Sequence, residues 1–238
     1  MPNPYFKFKQ FVVYHNRCAM KVGTDGVLLG AWADVSLSEN ILDVGTGSGL
    51  IALMSAQKNR NANILAIDSD MHAVEQANEN FKGSQFTDRL IVRHISFQNL
   101  ANQSHIGFDH IVSNPPYFVN SLKSPDKSRS LARHDDSLSL NDLIQLSRGL
   151  VNDNGKLSLI LPFSQKIDAE QIALDCGWHI SKCLTVFSLL DSNPKRVLME
   201  FSANNVSEVV NQFLTIELAR HQYSAEFKSL VKDFYLHM

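Results

Sequence analysis

The stretch Ile41-Leu42-Asp43-Val44-Gly45-Thr46-Gly47-Ser48-Gly49-Leu50 decides how this chain is read. An apolar strand runs into three closely spaced glycines, and a helix-period segment, Leu50–Lys58, begins at once. Glycine permits a tight turn and lets the backbone approach a bound molecule with no side chain between. The helix starting there aims free N–H groups back at the turn. Asp68 closes the next apolar run, 23 positions after Gly45. That spacing puts a carboxylate at the tip of the adjacent strand, where it can accept both hydroxyls of a ribose. The glycines read G-x-G-x-G, with Leu50 where a dinucleotide fingerprint needs its last glycine. A pyrophosphate is poorly provided for, and an uncharged or zwitterionic adenosyl ligand fits better; a tight turn with no ligand stays open as the alternative. Asp70 is the weaker acid, read as solvated or as the cap of the next helix.

Outward from this loop, apolar runs alternate with helix-period stretches from about residue 40 to about 200. Strands are expected at 41–44, 63–67, 90–94, 108–113, 156–161, 179–187 and 196–202, and helices at 50–58, 71–81, 140–150 and 165–176. Asp153-Asn154-Gly155 and Cys176-Gly177 read as helix exits. No helix pattern separates the last two strands, which are therefore expected to pair antiparallel. The pattern predicts an α/β, Rossmann-like fold: a seven-stranded, mostly parallel sheet with one antiparallel strand and helices on both faces.

The chain has 238 residues, 44% hydrophobic and 19% charged, with a net charge of −2. This apolar fraction supports a continuous core and excludes a disordered chain. No apolar run approaches the roughly 20 residues that span a bilayer. Three scattered cysteines, Cys18, Cys176 and Cys183, lack metal-ligand spacing and read as small buried groups, so a reduced, cytoplasmic protein is expected. Trp32 and Trp178 read as packing residues. The near-neutral balance gives no global sign of nucleic-acid binding, so that case rests on local charge. Residues 1–21 carry Lys7, Lys9, Arg17 and Lys21 with no acid, interleaved with Tyr5, Phe6, Phe8, Phe11 and Tyr14. Residues 119–137 are polar and interrupt the alternation. The end of the chain, 226–235, looks helical.

The most informative segment is Phe108-Asp109-His110-Ile111-Val112-Ser113-Asn114-Pro115-Pro116-Tyr117. Two prolines hold the backbone extended beyond a strand tip. The Asn114 amide oxygen and the Pro115 carbonyl are then presented at the carboxyl edge of the sheet, where open α/β folds bind ligands. Two neighbouring acceptors suit one planar –NH₂ group, and Tyr117 can lie flat against the ring that carries it. Hydrogen bonds to both N–H groups favour pyramidalisation of a nitrogen whose lone pair is otherwise delocalised. Positioning and dipoles do most of such catalysis. The bland reading is a proline-stiffened strand cap. Arg133-His134-Asp135 invites an acid/base role for His134, but a surface histidine is the simpler reading.

On these residues the chain resembles the class I S-adenosylmethionine-dependent methyltransferases of the Asn-Pro-Pro-Tyr type. Phe8-Lys9-Gln10-Phe11, the block from His15 through Met20-Lys21-Val22-Gly23-Thr24-Asp25-Gly26 to Trp32, and Pro194-Lys195-Arg196-Val197 are similar to the bacterial tRNA1(Val) (adenine-N6)-methyltransferase family. The resemblance implies S-adenosyl-L-methionine as cofactor, and methylation of N6 of the adenosine 3′ of the anticodon, position 37, in a valine tRNA. It further implies that Asp43, Gly45, Gly47 and Gly49 cradle the methionine part, covered by Lys21, Thr24 and Asp25. Asp68 then holds the ribose, and Asn114, Pro115 and Tyr117 form the catalytic clamp. Ser96 and Phe97 stand at the third strand tip, where the family often carries an acid. The expected RNA contacts are Lys7, Lys9, Arg17, Lys123, Lys127, Arg129 and Arg133, with Lys195 and Arg196 equally readable as solvated. The layout expected is a single methyltransferase domain: a leader at 1–35, a core at 36–204 and a helical tail at 205–238. It would act as a monomer without a metal or a membrane. The alternatives are an N-methyltransferase acting on a protein glutamine or on another RNA or DNA adenine, and a non-catalytic adenosyl- or RNA-binding protein.

Overall fold

The computed structural model describes residues 3–103, 107–116 and 138–237. The chain opens with a small antiparallel pair, β1 (Tyr5–Lys7) and β2 (Val12–Tyr14), then α1 (Thr24–Trp32). The alternating core follows as β3 (Asn40–Val44), α2 (Leu50–Lys58), β4 (Asn63–Asp68), α3 (Met71–Lys82), β5 (Leu90–His94), α4 (Phe97–Gln103) and β6 (Phe108–Ser113). After the gap come α5 (Leu140–Leu150), β7 (Val151–Pro162), α6 (Lys166–Asp175), β8 (His179–Leu189), β9 (Pro194–Ser202), β10 (Val210–Ala219), β11 (Gln222–Tyr223) and α7 (Ala225–Val231).

Among the described residues the main sheet has nine strands, in the order β11-β10-β8-β9-β7-β6-β3-β4-β5. β9 runs antiparallel to both β7 and β8, as expected of the reversed strand. Successive strand residues feed opposite faces, which is the period-two rule of a sheet covered on both sides. Ile41, Val112, Ile160 and Leu198 pack with α1, α2, α3 and α7. Leu42, Ile111, Leu159 and Met199 pack with α4, α5 and α6. Trp32 and Trp178 are buried, their indole N–H groups donating to Gln212 and to the Ile144 carbonyl.

Four expectations are corrected. The strand count is nine rather than seven, because residues expected within a helical tail form β10, parallel to β8, and its partner β11. β10 hides itself in the sequence by exposing Val210 and Phe213 while burying Leu214, so no alternation marks it. α1 was not expected: it is apolar nearly all round and presents no 3.6-residue stripe. It lies tight on α2, where a side chain at Gly30 would strike Met54 at 2.6 Å. Lys58 of α2 finishes it by donating to the Ala31 and Ala33 carbonyls. Asp153-Asn154-Gly155 is no helix exit, since α5 passes directly into β7 at Val151, whereas Gly177 does end α6 with φ +75°. The aromatic leader is in part structural: Phe8 and Phe11 are buried, Phe8 stacking on Tyr235 near the chain end at 5.9 Å, while Tyr5, Phe6 and Tyr14 are exposed.

His110 lies buried in β6 beside Ser158, 2.8 Å from Nε2, while its Nδ1 finds no partner among the described residues. Burial pulls its pKa down from 6.5 to about 4. The unfolded chain therefore takes up a proton that the folded chain refuses, so stability is whole above pH 6.5 and is lost as pH falls towards 4. Urea unfolding should show a loss of about 2 kcal/mol at pH 5 relative to pH 7.5 from this group. That part of the pH slope should disappear in His110→Gln; an unchanged slope would contradict the assignment.

Candidate active site

The carboxyl edge of the sheet gathers the tips of β3, β4, β5 and β6. β3 and β6 are in parallel register with Val44 opposite Ser113, and the Ser113 hydroxyl donates to the Val44 carbonyl at 2.8 Å. The glycine loop leaving β3 and the Asn114-Pro115-Pro116 segment leaving β6 therefore emerge side by side. Between them opens a cavity of about 550 Å³, whose walls include Gly45, Gly47, Asp68, Ser96, Phe97, Asn114 and Pro116.

The loop is braced from beneath and from the side. Gly45 and Thr46 N–H groups both donate to the Ile67 carbonyl at 3.0 Å. Asp43 accepts from the Thr46 hydroxyl at 2.6 Å and from the Ala52 N–H at 3.1 Å, joining the loop to the first turns of α2. Its other oxygen has no partner among the described residues, and burial raises its pKa to about 7. Gly49 is obligatory: its φ is +81°, and a Cβ there would sit 2.4 Å from Phe81. At Gly45 and Gly47 a Cβ would instead project into open space, a cradle that side chains would fill.

Asp68 receives the Gly47 N–H on one oxygen at 2.8 Å and the Asp70 N–H on the other at 2.9 Å. Each oxygen keeps a further lone pair for a ligand hydroxyl. Asp70 caps α3 by accepting from His72 N–H, one of the two roles read for it. Ser96 lines the cavity and accepts from Asn99 N–H at 3.3 Å, and Phe97, a buried residue at the start of α4, lines it too. Asn114 is half-buried, Pro115 buried and Pro116 exposed. An adenosyl group fits this set: an open glycine cradle, a carboxylate with spare acceptors and apolar lining residues, Ile67, Ile95 and Phe97 among them.

Several expected residues lie elsewhere. Asp43 supports the loop from behind and does not line the cavity. Lys21 is exposed outside it. Thr24 and Asp25 open onto a separate cavity of about 430 Å³, where Asp25 pairs with Arg196 at 3.0 Å, because α1 starts at Thr24 and turns its first residues towards β9. From this part of the chain, Cys18, Ala19 and Met20 line the cavity instead. They adjoin Lys21 in the sequence and bear no chemical mark of their own. Of the basic leader, Lys7 is exposed, Lys9 donates to the Lys232 carbonyl, and Arg17 pairs with Glu79 at 2.9 Å; none lines the cavity. Tyr117, Lys123, Lys127, Arg129 and Arg133 lie outside the described residues, as does His134.

Fold and site together define a class I S-adenosylmethionine-dependent methyltransferase. The profile of the family described as methyltransferase small domain matches residues 20–176. A protein named tRNA1(Val) (adenine(37)-N6)-methyltransferase from Parabacteroides distasonis is 50% identical over 238 residues, all of both chains. Another of that name from Trichodesmium erythraeum is 45% identical over 97% of each chain. Among solved structures, a predicted O-methyltransferase from Agrobacterium tumefaciens superposes with a TM-score of 0.66 at 17% identity, over 88% of this chain and 96% of the other. The chain belongs to the methyltransferase small domain family and to the family of tRNA1(Val) (adenine(37)-N6)-methyltransferases.

If Asp68 holds the ribose, Asp68→Ala leaves two hydroxyls unpaired. Calorimetric titration with S-adenosylhomocysteine should show binding weakened by about 1–3 kcal/mol. Equal affinity would remove Asp68 from that role.

Proposed function

We propose that this protein transfers a methyl group from S-adenosyl-L-methionine to N6 of adenosine 37 in tRNA1(Val). The observation that carries the reading is the pinned pair of tips: Asn114 and the glycine loop face one cavity, held in register by Ser113 and Val44. The full-length identity to relatives of that name supports the choice of substrate.

The donor supplies an electrophilic methyl on a sulfonium; the chain's own residues prepare the nucleophile. An adenine inside an anticodon loop must be splayed from its stack to reach the strand tip. Asn114 Oδ1 and the Pro115 carbonyl then accept the two N–H groups of the exocyclic nitrogen. This draws the nitrogen from planarity and localises its lone pair towards the methyl. As the new N–C bond forms the methyl's C–S bond breaks, leaving S-adenosylhomocysteine; the nitrogen becomes acidic only then and gives its proton up to solvent, so a strong base before attack is not required. We assign Asp68 and the glycine loop to hold the donor, with Cys18–Met20 covering it and Phe97 facing its adenine. Tyr117 is assigned to the face of the target base. The basic residues at 123–133 and on the leader are assigned to tRNA phosphates, whose contacts give affinity that falls with salt. We place the reaction in the cytoplasm; no helix among the described residues is long and apolar enough to cross a membrane.

The test is incubation with labelled S-adenosylmethionine and tRNA from a strain lacking the gene, followed by digestion to nucleosides for the modification and by base-specific ribonuclease mapping of isolated valine tRNA for its position. N6-methyladenosine should appear at position 37 of valine tRNA. Asn114→Ala should lower turnover by about 10²-fold or more while S-adenosylhomocysteine still binds. Label on protein with none on RNA would overturn the proposal.

A further inference from the structure

Asn80 lies on α3, away from the cavity walls, and is 2% exposed. Its side chain is nearly saturated. Oδ1 accepts the Tyr14 N–H at 2.9 Å, and Nδ2 donates to the Tyr14 carbonyl at 2.8 Å and the Ser48 carbonyl at 2.7 Å. One amide thus grips both backbone groups of the residue that ends β2 and, at the same time, the middle of the glycine loop.

These two partners lead to two separate segments of the lining of the same cavity. Ser48 stands between Gly47, which lines it, and Gly49, whose left-handed turn fits against Phe81, the neighbour of Asn80. Tyr14 leads into the strap that ends in Cys18, Ala19 and Met20, which line the cavity too. The same face of α3 continues to hold that strap: Gln76, 1% exposed, accepts the Arg17 N–H at 3.3 Å, and Glu79 pairs with the Arg17 guanidinium. His15 closes its base, taking the Val22 N–H on Nδ1 at 3.4 Å and reaching the Asn3 carbonyl with Nε2 at 3.0 Å. Burial makes the bonds of Asn80 and Gln76 stringent, since a lost partner leaves a polar group unpaired in the interior.

We propose that Asn80 is a positioning residue of the cofactor site: it sets the spacing between the glycine loop and the Cys18–Met20 strap, and so governs how tightly S-adenosylmethionine is held without touching it. The proposal rests on the cofactor reading given above. A loosened strap exposes bound donor to solvent but leaves the Asn114 clamp on β6 untouched, so the consequence falls on donor affinity and spares the chemical step.

In Asn80→Ala, KM for S-adenosylmethionine should rise about tenfold or more, while kcat at saturating donor and tRNA stays within about threefold. Asn80→Asp keeps an acceptor for Tyr14 N–H but sets a carboxylate against two carbonyls, and should raise the same KM. A fall in Tm with KM for the donor unchanged would assign Asn80 to folding alone and overturn the proposal. Hydrogen exchange on the wild-type protein needs no variant to fold. Saturating S-adenosylhomocysteine should slow exchange at the Tyr14 and Arg17 amides, and equal rates with and without it would also overturn the proposal. Failure of the wild-type protein to bind S-adenosylhomocysteine at all would instead remove the cofactor reading.

Discussion

Everything at the working edge of this protein depends on two parallel strands ending level with each other. β3 and β6 pair from Ile41 opposite His110 to Val44 opposite Ser113, and the Ser113 hydroxyl closes the pair on the Val44 carbonyl. A parallel strand pair separates its backbones by about 4.8 Å, so whatever leaves the two tips is neighbour to whatever leaves the other. One tip carries glycines that leave space for a donor; the other carries an asparagine stiffened by prolines. A slip of one residue in this register would turn every side chain of β6 to the opposite face and take Asn114 away from the cavity. The two cores on either side of the sheet resist that slip, because Val112 and Ile111 are each fully buried in different ones.

Around this pair the structure spends its buried polar groups on shape. Asp43, Asp68 and Asn80 each hold the glycine loop from a different direction: from behind, from the β4 tip and from α3. The raised pKa of Asp43 records how little solvent reaches it, and the charge of Asp68 contributes in the same direction. Such bracing fits a site that must be formed before its ligand arrives, since preorganised groups need no rearrangement at the moment of reaction. Cys18 shares the cavity, and burial together with Asp68 and Asp70 raises its pKa to about 11, which keeps it a thiol.

The sequence made the core strands and the helices at 71–81 and 140–150 legible because their apolar residues recur with a clear period, and the helix at 50–58 because it follows directly on the glycine loop. It also made Gly45, Gly47, Asp68, Ser96, Phe97 and Asn114 legible, because each stands at a strand tip or in a loop with a recognisable spacing. What stayed hidden did so for physical reasons. α1 is buried on nearly every side and β10 exposes apolar groups, so neither shows the contrast that periodicity needs. The partners of Lys9 and Arg17, a distant carbonyl and Glu79, left no mark in the sequence, because the fold brings them from residues 232 and 79. Asn80 gave no signal at all: an amide in a helix reads as surface until the fold brings residues 14 and 48 to it.

The most direct test is a crystal structure of the protein with S-adenosylhomocysteine and adenosine bound. The account predicts ribose hydroxyls on Asp68, the sulfur beside the glycine loop and turned towards Asn114, and the adenosine amino group between Asn114 Oδ1 and the Pro115 carbonyl. A donor seated away from Asp68, or an Asn114 amide turned out of the cavity, would contradict it.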